Sequence, residues 1–118
     1  MILPQEIQVR YIIPALRKAF ADSLVNDYGL TQARAADILD VTPAAISQYF
    51  TKKRAASLDL PNVVRDDVRA ACDRILDDET SLLHELHRLT TTTDVKELMC
   101  TIHRDKGSVT DDCRICFE

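Results

Sequence analysis

Three of the four cysteines in this chain gather at its C-terminal end: Cys100, then Cys113 and Cys116 within HRDKGSVTDDCRICFE, residues 103–118. Two residues separate Cys113 from Cys116, the spacing at which a short turn directs both sulfurs to one metal ion or cluster. On a helix beginning near Val95, Cys100 and His103 share one face beside Lys96 and Arg104, while Val95, Met99 and Ile102 occupy another. Two ligand sets follow. Cys100, His103, Cys113 and Cys116, in the pattern C-x2-H-x9-C-x2-C, suit tetrahedral zinc with three thiolates. Cys72 with Cys100, Cys113 and Cys116 suits an iron-sulfur cluster of the 4Fe-4S or 2Fe-2S kind. Cys72 discriminates between the two, because its place in the stripe Val64, Val68, Cys72, Leu76 is also that of a buried inert thiol. A C-x-x-C pair supports thiol redox chemistry as well, but a polar tail that cannot form a core needs an organising centre, which favours metal.

A second chemical constellation is weaker. His84 and His87 lie one turn apart with Glu85 between them, yet no nucleophile, phosphate loop or H-E-x-x-H motif accompanies them. They read as surface or dimer-contact residues or weak adventitious metal ligands, and the chain reads as a non-enzyme.

The elements that position these groups are helical. After a short extended start, Pro14 opens a helix carrying Leu16, Phe20 and Leu24 at four-residue spacing, and Gly29 ends it. Thr31 caps a short second helix ending near Leu39, Asp40 and Val41 form a break, and Thr42 caps a third helix with Pro43 at its first position. Two caps so close around one short helix form a helix-turn-helix signature. Ala36 is small enough for the second and third helices to approach, and Val41 and Ile46 point into their shared core. The outward residues of the third helix then face a major groove. Gln48 can pair bidentately with adenine, Ser47 can reach a base or a phosphate, and Ala44 or Thr42 can touch a thymine methyl. Gln32, Lys52, Lys53 and Arg54 are candidates for phosphate contacts. Tyr49 divides between completing the core with its ring and binding a phosphate with its hydroxyl.

Residues 10–55, RYIIPALRKAFADSLVNDYGLTQARAADILDVTPAAISQYFTKKRA, resemble the phage-repressor-like (XRE-type) helix-turn-helix family. They are similar in particular to small archaeal predicted transcriptional regulators with a cysteine-bearing C-terminal region. Gln32, Ala36, Val41, Ile46, Ser47, Gln48 and Tyr49 carry the match. The resemblance implies a dimeric, sequence-specific transcription factor that reads operator DNA, with cysteines that bind an iron-sulfur cluster. It tips the choice of centre toward iron-sulfur, with zinc the alternative. Two positions depart from the family: Asp40 and Lys52 stand where glycines are usual. Asp tolerates left-handed backbone better than most residues, so Asp40 costs about 1 kcal/mol without preventing the turn.

Beyond the module, residues 60–103 read as two or three more helices. Leu82, Leu86 and Leu89 form one stripe, Val95, Leu98, Met99 and Ile102 another, and the threonine run between Leu89 and Asp94 reads as a loop. Stripes on so small an appendage call for cover from a second copy, hence a homodimer on a palindromic operator of double-stranded DNA. The expected architecture is all-α: a DNA-binding domain over residues 1–57 and a helical dimerisation and cofactor region over residues 58–118. Charge divides the same way. Residues 1–57 carry seven basic and five acidic side chains, residues 58–118 eight and fourteen, so the halves are +2 and −6. With 46% hydrophobic residues and no run of about 20 apolar residues, the chain reads as folded, cytoplasmic and without a membrane partner. Oxidation, nitrosylation or loss of a cluster joining Cys72 to the tail would shift the dimer helices and with them the DNA-reading helices.

Overall fold

The computed structural model describes residues 3–51 and 58–105, and all its secondary structure there is helical. The first long rod has two defects. Helix α1 (Pro4–Ile7) starts on a proline that needs no donor, passes through a π turn at Gln8–Ile12, and continues as α2 (Ile13–Asp22). A second π turn, Ser23–Asp27, completes it, and Gly29 ends it in the left-handed conformation at φ 70°. The expected extended start before Pro14 is therefore corrected. Pro14 cannot donate to the carbonyl four residues back, but the widened turn bonds five residues back instead, with the Ile13 N–H donated to the Gln8 carbonyl. The helix runs through the proline.

After the helical pair α3 (Gln32–Leu39) and α4 (Pro43–Thr51) come α5 (Asn62–Leu76), α6 (Leu82–Thr90) and α7 (Thr93–Asp105). The threonine loop shrinks to Thr91 and Thr92. Thr90, Thr91 and Thr92 each donate a hydroxyl to the carbonyl three residues back, at 2.6, 2.7 and 2.9 Å, which satisfies the last carbonyls of α6. Thr92 also accepts the Val95 N–H at 3.4 Å and so caps α7. A run that is poor helix interior thus makes a compact joint.

One core runs through the described residues. Leu16, Phe20 and Leu24 of the first rod share it with Ala36 and Ile46 of the helical pair and with Val64, Val68, Leu89, Val95 and Met99 of the later helices. It continues across the expected boundary at residues 57 and 58, since α5 packs on α2 and on the second π turn. Arg69 pairs with Asp27 at 3.2 Å, and the Tyr28 hydroxyl bonds the Arg69 carbonyl at 3.0 Å and the Asp73 carboxylate. Burial and then Asp73 push the Tyr28 phenol up to about 12. The apolar stripes expected to need a second copy are mostly covered within the chain. Helix α1 and its π turn lie on α7, with Gln8 Nε2 3.9 Å from Met99 Sδ. The supposedly extended start is the helix that supplies this cover.

Helices α5 and α6 are joined by ions. Glu85 is buried and accepts from both Arg74 and Arg88, and Arg88 also grips Asp67 through two nitrogens at 2.8 and 3.2 Å. Burial alone would raise the Glu85 carboxyl, but the hydrogen bonds and charges of Arg74 and Arg88 outweigh it and hold the group below the usual carboxylate range. A carboxyl depressed in this way binds its proton more weakly folded than unfolded. Its stabilisation is present above the unfolded value of about 4.3 and is lost as pH falls through the folded one. Glu85→Gln is expected to lower stability by about 2 kcal/mol at neutral pH. Urea unfolding at about pH 7 and about pH 3 should show the wild type losing more on acidification than the variant, with equal losses contradicting this role.

Candidate nucleic-acid interface

The pair α3 and α4 is built from local chemistry. Thr31 accepts the Arg34 N–H at 3.1 Å and Thr42 accepts the Ala45 N–H at 3.1 Å, so both expected caps are present. Between them Asp40 holds the left-handed conformation at φ 53° and ψ 45°, which a residue with a Cβ adopts at a cost. The Val41 N–H then reaches the Ala36 carbonyl at 3.0 Å and closes the end of α3.

Packing orients α4. Ile46 is fully buried, Ala45 and Tyr49 are half-buried, and Thr42, Pro43, Ala44, Ser47 and Gln48 are exposed. Tyr49 packs its ring against the core. The polar side of α4 therefore faces solvent, as groove reading requires. Gln32 and Ser47 meet: the Ser47 hydroxyl donates to Gln32 Oε1 at 3.0 Å, tying the first turn of α3 to the outer face of α4. This contact between residues fifteen apart leaves no periodic trace in the chain. Exposed Arg34 adds a positive charge in the first turn of α3, a residue the sequence pattern did not single out. Lys52, Lys53 and Arg54 lie outside the described residues.

The cysteines divide. Cys72 is fully buried in α5 beside Ser23 of the second π turn, and burial pushes its thiol up to about 11. Cys100 and His103 are buried in α7. Their face was expected to stand apart from Val95, Met99 and Ile102, but the structure buries both, because α7 is enclosed by α1, α5 and α6. Among the described residues no three His, Cys, Asp or Glu side chains gather around a point that could hold a metal. Cys113 and Cys116 lie outside the described residues, so Cys100 and His103, one turn apart, are the described half of the zinc-type set. The second constellation does not assemble. His84 is exposed with Nδ1 2.7 Å from Ser81 Oγ, and His87 is exposed, whereas Glu85 turns inward to its arginines.

Residues 24–60 match a family model described as Helix-turn-helix. The matched span contains α3, the Asp40 turn and α4, so the chain carries a helix-turn-helix within an all-α fold. No curated protein and no solved structure matches the chain. No helix among the described residues is long and apolar enough to cross a membrane.

Asp40→Gly is expected to raise stability by roughly 1 kcal/mol, since glycine adopts φ > 0 without a Cβ clash. Thr42→Ala should lower it by about 1 kcal/mol through loss of the cap. Denaturant midpoints at constant m value measure both, and a lowered midpoint for Asp40→Gly would contradict the turn geometry.

Proposed function

We propose that this chain is a sequence-specific DNA-binding transcriptional regulator in which α4 reads the major groove. The observation that carries the reading is the division of α4 into a sealed side, Ile46, and an open side bearing Ala44, Ser47 and Gln48. Gln48 supplies the amide that pairs with adenine, and Ala44 leaves room for the helix to approach a thymine methyl. Gln32 holds Ser47 through Oε1, and its amide nitrogen is a donor for a phosphate. A single α4 offers few base contacts, so we further propose a homodimer placing two copies about one DNA turn apart on a palindromic operator.

The reading is tested with a duplex enriched from random sequence by the protein itself. Gln48→Glu places a carboxylate against the acceptors of adenine and the phosphates, and is expected to reduce affinity at least tenfold, about 1.4 kcal/mol or more, with unchanged thermal unfolding. Unaltered affinity for Gln48→Glu and for Ser47→Glu would refute groove reading by α4.

A cysteine-ligated centre is a further part of the proposal. Cys100, His103, Cys113 and Cys116 provide three thiols and an imidazole, a donor set that fits zinc and, with histidine replacing one thiolate, an iron-sulfur cluster. The enclosure of Cys72 with Ser23 supports leaving it out of that set. Metal and acid-labile sulfide analysis of protein purified without oxygen is expected to find one centre per chain. Its loss in Cys113→Ser combined with Cys116→Ser, and its retention in Cys72→Ala, would support this assignment. Retention in the double variant would refute it.

A further inference from the structure

An open cleft of about 300 Å3 lies between α2 and α5. Alanine makes it: Ala15 and Ala19, one turn apart on α2, line it opposite Val68 of α5, and their short side chains leave space that larger residues would fill. The rim carries both signs of charge, Lys18 and Asp22 from α2, Arg65 from α5, and Asp59 from the segment before α5. Other charges on the same rim are already matched, Arg69 with Asp27 at 3.2 Å and with Asp66 at 3.4 Å. Lys18, Asp59 and Arg65 make no ion pair among the described residues. Arg65 commits its Nε to the Leu60 carbonyl at 3.1 Å, and among the described residues its terminal nitrogens meet no carboxylate.

We propose that this cleft binds a small zwitterion of the free α-amino acid class. Lys18 and Arg65 hold its carboxylate, Asp59 holds its ammonium with help from Asp22, whose Oδ1 also accepts from the Asn26 amide, and its side chain rests over Ala15, Ala19 and Val68. The two signs exclude simpler ligands. A lone anion such as phosphate would meet Asp22 and Asp59, a polyamine would meet Lys18 and Arg65, and an apolar molecule would strip water from all four charges without replacing it. The volume lies at the small end of ligand pockets, which suits a molecule of this size. Ser23 and Asp27 of the second π turn also line the cleft, so an occupant touches the turn leading into α3 and α4 and the helix that follows them. Binding there does not depend on the DNA-binding reading.

Full-length protein without DNA is titrated with each proteinogenic L-amino acid while amide NMR spectra are recorded. At least one is expected to shift the amides of Ala19, Leu60 and Val68. Its N-acetyl and carboxamide derivatives, each lacking one charge, should bind at least about tenfold more weakly, the effect of losing a charge-assisted contact. Lys18→Ala should weaken the parent ligand about tenfold with thermal unfolding unchanged, and Ala19→Leu should abolish binding by filling the cleft. Should Ala19→Leu fail to fold, Lys18→Ala decides. The proposal is overturned if no amino acid shifts those amides, if the singly charged derivatives bind as well as the parent, or if Lys18→Ala binds with full affinity. With DNA absent, failure here leaves groove reading by α4 untouched.

Discussion

Helix α4 is held to the rest of the chain by one fully buried side chain, Ile46, flanked by the half-buried Ala45 and Tyr49. That narrow seam decides which residues remain outside. With Ile46 fixed against a core that includes Ala36 and Phe20, helical periodicity turns Ala44, Ser47 and Gln48 outward. A wider apolar seam would have drawn Gln48 or Ser47 inward, and no seam at all would have left α4 unanchored. The caps at Thr31 and Thr42 and the left-handed Asp40 act on the same constraint, since they set where α4 begins and therefore which of its sides carries Ile46.

The elements behind that seam are cross-linked. The first rod ends in a π turn that, with Tyr28 just after it, binds α5 in three ways: Asp27 to Arg69, Tyr28 to Asp73 and the Arg69 carbonyl, and Ser23 beside Cys72. Helix α5 is in turn tied to α6 by Asp67, Arg88, Glu85 and Arg74, and α7 closes against α1. The helices of residues 58–105 therefore buttress the helix-turn-helix as part of the same core. Glu85 is the buried member of this network, and Arg74 and Arg88 together supply its counter-charge.

The helix-turn-helix was legible from strong local signals. Threonine caps, a proline at a first helical position and a break at Asp40-Val41 each act within a few residues, so their spacing alone located α3 and α4. The start of the chain was misread for an equally physical reason: Pro14 ordinarily opens a helix, and nothing in the residue types announces the π turn that lets the helix pass through it. Because the start forms α1 and packs on α7, part of the cover expected from a second copy comes from within the chain. The Gln32–Ser47 bond and the inward turn of Glu85 were invisible because each depends on a contact between elements, where local propensity carries no information. The division of the cysteines was half legible. The stripe containing Cys72 allowed a buried thiol as well as a cluster ligand, but burial of both sides of α7 follows only from its enclosure by three neighbours.

The most direct measurement of which surface meets DNA is amide chemical-shift mapping with a duplex the protein has itself selected. The largest changes are predicted at Ala44, Ser47, Gln48 and Gln32, with Leu83 and His87 on the exposed side of α6 unmoved. Changes centred on α6 and absent from α4 would contradict the account.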